Sequence, residues 1–88
     1  MVLRNEDEQY ELVRLIGARM EQVKESIPQM SDADEARNYA MGTASTLSYL
    51  AKKLLPNETF GEVDRFLDSE MSNINGYIDR MKSVEGVF

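Results

Sequence analysis

NYAMGTASTLSYLA, residues 38–51, is a run of fourteen residues without a formal charge, in a chain where charged residues make up 30% of the whole. Arg37 bounds it on one side and Lys52 on the other. As a helix the run extends about 21 Å, enough to cross a small domain. A helix uncharged around most of its circumference is one that is covered on more than one side. The reading that follows is a central helix with the rest of the chain packed around it.

The two prolines, Pro28 and Pro56, divide the chain into three segments of similar length. A proline within a helix loses a hydrogen bond and clashes with the preceding turn, so each marks a boundary. Formal charge over residues 1–27, 28–55 and 56–88 is −2, 0 and −4, which places a neutral segment between two acidic ones. The expected fold is all-α: one domain over residues 1–88, an antiparallel three-helix bundle with helices at about 5–27, 32–55 and 59–84.

Each helix carries start signals and an apolar stripe. In the first, Asn5 is the expected cap, with Glu8 at the capping-box position. Leu12, Ile16, Met20, Val23 and Ile27 follow at spacings of 4, 4, 3 and 4, and Val13 and Leu15 widen the stripe. Glu21 and Lys24 or Glu25 are expected to point outward. Gly17 is expected to mark close helix contact. Ser31 is the expected cap of the second helix, whose core seam is read as Ala36, Ala40, Thr43, Leu47, Leu50 and Leu54. Small residues at its start and leucines at its end predict a bundle tighter near Ala40 than near Leu54.

The third helix is expected to be capped by Asn57 or by Thr59, with Glu62 completing the box. Phe60, Val63, Leu67, Met71, Ile74, Ile78 and Met81 form the longest stripe, with Phe66 and Tyr77 flanking it. A packing reason is expected for Gly76, and Gly86 is the expected C-terminal cap residue, with Val87 folding back near Met81 or Val84.

Much chemistry is excluded by composition. With neither Cys nor His, the chain has no disulfide, no thiol nucleophile, no near-neutral imidazole and no Glu-x-x-His metal site. Asp32-Ala33-Asp34-Glu35 lacks the glycine of a calcium loop and reads as a helix start. No phosphate-binding glycine loop is present, and the serines have no base to activate them. No catalytic, cofactor-binding or metal residue is therefore assigned, no cofactor is expected, and an enzyme is not expected.

Met1 is followed by residues lacking the pattern of a signal peptide, and no apolar run is long enough to span a membrane, so a cytoplasmic location is expected. Net charge −6 opposes direct binding to nucleic acid or to anionic lipid.

Two functional readings remain. The first is a small acidic protein-interaction module of adaptor, chaperone, immunity or inhibitor type, binding a protein partner. Its candidate interface is a second face of the middle helix, Tyr39, Gly42, Thr46 and Tyr49, continuing to Lys53, where tyrosines over small residues suit recognition. A homodimer through this face is the expected assembly, with Met30 and Met41 beside it. The alternative is an acidic mimic of nucleic acid that blocks a basic groove, with Asp64, Asp68 and Glu70 as its candidate acidic face.

Overall fold

A computed structural model describes residues 2–85, with side chains through Met81. The expected cap at Gly86, with Val87, lies outside the described residues, as does the side chain of Val84. Three helices follow in order: α1, Glu6–Ser26; α2, Ala33–Leu54; and α3, Asn57–Glu85. A short 3-10 turn, Ile27–Gln29, sits between α1 and α2. The helices form an antiparallel three-helix bundle in which α2 packs most extensively on α3 and next on α1, while α1 and α3 meet least. The middle helix is the hub, as its lack of charge implied.

The connections follow from local chemistry. Asn5 caps α1: its side-chain oxygen accepts from the backbone N–H groups of Asp7 and Glu8 at 2.8 and 3.3 Å. The cap of α2 is Asp32 rather than Ser31, accepting from Asp34 and Glu35 at 2.8 and 3.4 Å. Ala33 and Ala36, in the first turn, are both buried. A carboxylate at this position also meets the positive end of the helix dipole.

Leu55, the residue before Pro56, is extended at φ −106° and ψ 149°, the conformation that a following proline ring enforces. α3 then begins at Asn57, two residues before the expected start. Neither Asn57 nor Thr59 lies outside it as a cap. The Pro56 carbonyl accepts the first helical bond, from Phe60 N–H at 2.8 Å. At the other end of the chain, Leu3 N–H donates to Leu54 O at 2.7 Å, satisfying a carbonyl that the end of α2 leaves without an intrahelical partner. Gln9 Nε2 donates to Leu3 O and holds that segment in place.

The core contains Ile16, Met20, Val23 and Ile27 from α1 and Val63, Leu67, Ile74 and Ile78 from α3, with Leu12, Phe60, Met71 and Met81 partly buried against it. Both outer stripes stand as expected, except that Leu15 is exposed and does not widen the first.

The seam of α2 differs. Its buried residues are Ala33, Ala36, Ala40, Ala44 and Ala51, joined by Leu55 just beyond the helix. Leu47 and Leu54 are only half-buried, and Leu50 is exposed. Alanines line most of the inner side, with Leu47 packed against the core between Ala44 and Ala51 and Leu55 buried just past the helix end. Large side chains from α1 and α3 fill the core, and small ones on α2 leave room for them.

Gly17 and Gly76 have no packing reason either. A Cβ at either position would meet no atom within 4 Å.

Among the described residues, two ion pairs tie α3 to the other helices. Arg37 Nη2 on α2 reaches Asp79 Oδ1 at 2.7 Å. Lys24 on α1 reaches Glu70 at 3.1 and 3.3 Å, and also Glu21 at 2.8 Å. Glu70 is 8% exposed, while the Lys24 side chain retains 37% of its exposure. Lys24 therefore does not simply point outward; its stem runs along the core edge and its ammonium meets a buried carboxylate.

Glu21, and after it Glu70, raise the pKa of Lys24 above its ordinary value. Stability from such a group is complete below the ordinary lysine pKa and is lost as pH rises through the raised one. Lys24→Met is accordingly expected to cost about 1–2 kcal/mol at neutral pH, less than a fully buried pair because water screens the half-exposed ammonium. In urea unfolding of both chains the difference should hold up to about pH 10 and shrink above it. A difference that persisted at strongly alkaline pH would show that Lys24 acts through packing alone.

Candidate interaction site

At about 100° per residue, the buried alanines occupy one arc of α2, and Tyr39, Gly42, Thr46 and Tyr49 occupy another about 80° wide, the two centred about 140° apart. Of the fourteen uncharged residues, Asn38, Met41, Gly42, Ser45, Thr46, Tyr49 and Leu50 are exposed. Half of the run is thus uncovered by the chain's own helices, although the absence of charge implied cover on more than one side.

The four candidate residues lie together on this outward face but differ in setting. Tyr39 is half-buried against the core, and the Arg19 guanidinium lies 6.0 Å from its ring centroid. Tyr49 is 61% exposed, with the Lys53 ammonium 5.5 Å from its ring. Both contacts have cation–π geometry and keep the rings at the surface beside a cation. Between the tyrosines, Gly42 has no atom within 4 Å of where a Cβ would stand. Thr46 Oγ1 donates back to Gly42 O at 2.9 Å, so the hydroxyl is satisfied within the helix and its methyl is left to the surface. A shallow depression of about 270 Å³, lined by Arg19, Gly42, Thr43, Thr46 and Leu47, borders the face toward α1.

On the side toward α3 the face passes into an open groove of about 520 Å³, whose walls include Met41, Tyr49, Lys52, Asp64, Asp68 and Met71. Met41 is therefore at the surface beside the face, whereas Met30 is packed against the core. Asn75 also lines the groove, and its Oδ1 is buried without a hydrogen-bond partner, as is Arg37 Nε. Among the described residues no group of three acidic side chains is placed to hold a metal ion, and no helix is long and apolar enough to cross a membrane.

The candidate acidic face is not assembled. Asp64 is half-buried and accepts from Ser48 Oγ at 3.2 Å, and Asp68 is exposed across the groove from Lys52. Glu70 is turned away from both, buried against Lys24 of α1. Its place was readable: Glu70 stands three residues after Leu67 and four before Ile74, and Lys24 stands four after Met20 and three before Ile27. Both occupy core-stripe positions, and a charge at such a position calls for a partner across the bundle. On the surface of α1, Arg14 lowers the Glu11 pKa through its hydrogen bond, and both side chains are exposed.

Comparison with models of protein families, with curated proteins and with solved structures finds no match for this chain.

Proposed function

We propose that this chain is a non-catalytic protein-binding module, working in the cytoplasm, that acts through the outward face of α2. The observation that carries this reading is the exposed half of the uncharged run. Elsewhere the chain places charge freely on its solvent-facing positions, and a neutral strip of Tyr, Met, Gly, Ser and Thr on a chain of net charge −6 has the composition of a recognition surface rather than a solvating one. No cofactor enters this reading, and the acidic balance disfavours nucleic acid and anionic lipid as the thing bound.

The nucleic-acid mimic is the weaker reading. It needs carboxylates in register along one surface, and the burial of Glu70 leaves Asp64 and Asp68 with Lys52 across from them.

Affinity capture from the native host with three forms of the chain separates the two. Thr46→Glu, at the centre of the face and exposed, is expected to lose the captured protein while remaining folded, and Asp64→Lys with Asp68→Lys is expected to keep it. Capture retained by the first and lost by the second would instead support the mimic.

A further inference from the structure

We infer that the occupant of the α2 face is a second copy of this chain, docked antiparallel about a two-fold axis level with residue 44. This rests on the reading of that face as a binding surface and names what it binds. The face continues past the tyrosines at both ends, to Glu35 and Lys53, both exposed. Glu35, Tyr39, Gly42, Thr46, Tyr49 and Lys53 recur at spacings of 4, 3, 4, 3 and 4, the repeat of a coiled-coil seam. This stripe is separate from the alanine stripe that packs inside the monomer.

The stripe is also symmetric in sequence. Residues 35 and 53, 39 and 49, and 42 and 46 are each equally far from residue 44. Turned end to end on a second copy, Glu35 meets Lys53, Tyr39 meets Tyr49 and Gly42 meets Thr46, each pair twice, as a two-fold interface requires. The charges select this orientation. In a parallel pair Glu35 would face Glu35 and Lys53 would face Lys53, whereas the antiparallel pair places opposite charges at both ends. The acidic first turn of each helix, at the positive end of its dipole, then lies against the lysines in the last turn of the other.

At the centre, Gly42 and Thr46 offer little bulk, so the two backbones approach closely. The seam is a single helix face about 27 Å long, from residue 35 to residue 53. That places it among small interfaces, with a dissociation constant on the order of micromolar or weaker.

The test uses two charge reversals on the intact chain, followed by sedimentation across a wide concentration range. Wild type is expected to form dimers at high concentration. Glu35→Lys and Lys53→Glu, each alone, place like charges at both ends and are expected to weaken self-association by about tenfold or more. An equimolar mixture of the two variants pairs lysines on one chain with glutamates on the other, and is expected to restore the dimer as a heterodimer. A wild type that is monomeric throughout overturns the second copy, as does a dimer indifferent to either reversal or a mixture that does not recover. The outcome for Thr46→Glu in the capture experiment then separates the two claims. A monomeric wild type whose captured protein is still lost on Thr46→Glu leaves the face as a site for a different protein, and one whose captured protein is retained removes the face altogether.

Discussion

Ala40→Leu is expected to destabilise the fold by about 3 kcal/mol, the upper part of the usual range for overpacking, while Leu50→Ala costs under about 1 kcal/mol. Ala40 has no exposed surface and sits mid-way along the alanine stripe on which both other helices pack. A leucine there must displace Ile, Leu or Val side chains on α1 and α3 or push a helix away, and a close-packed interior yields to neither cheaply. Leu50 is 40% exposed and leaves little cavity when shortened. The comparison inverts what hydrophobicity alone suggests, since leucine is the larger and more apolar residue. Urea unfolding of the two variants measures it. A Leu50→Ala loss larger than that of Ala40→Leu would restore the leucine seam and reject the inward stripe of alanines.

Leu67→Ala and Ile74→Ala are each expected to cost about 2–5 kcal/mol. Both are buried on α3, in one core cluster with the alanines of α2, the helix against which α3 packs most extensively. With so little side-chain volume on the α2 side, few neighbouring atoms can move in to fill the space that either truncation opens. A chain of 88 residues has a total stability of only about 4–13 kcal/mol, so either variant removes a large fraction of it. Phe66→Ala, on the same helix but 40% exposed, should be much milder. Denaturant midpoints at constant slope give the three values. Losses below about 0.5 kcal/mol at both buried sites would mean that α3 turns a different face to the core.

Much of this architecture was legible in the sequence, and the misses have a common cause. The prolines marked both connections, Asn5 marked the start of α1, and the stripes of α1 and α3 stood out because their large aliphatic side chains occupy one face only. α2 was harder. Its uncharged run holds several stripes at helical spacing, and hydrophobicity weights the one through Leu47, Leu50 and Leu54. What decides between them is the distance between helix axes, and a close approach turns the alanines inward. That distance is a property of the packed bundle and is not written in one helix.

The start of α3 was placed late for a related reason. Asn57 and Thr59 both have capping side chains, but the extended Leu55 and the Pro56 carbonyl bring the chain into the helix before either is needed. The candidate site was legible as composition and not as exposure. An uncharged run read as a covered helix, whereas the fold covers only part of it and leaves Tyr49, Gly42 and Thr46 facing out.

In the proposed assembly α2 buries its alanines within the bundle and offers its outward face, from Glu35 to Lys53, to a second copy of the chain. Amide chemical shifts, followed by NMR across about a hundredfold range of concentration around the micromolar affinity expected for so small an interface, test it residue by residue. The assembly predicts concentration-dependent shifts at Glu35, Tyr39, Gly42, Thr46, Tyr49 and Lys53, with Tyr10 on α1 and Glu58 on α3 unchanged. Shifts centred on Asp64 and Asp68 instead, or a spectrum identical at every concentration, would contradict it.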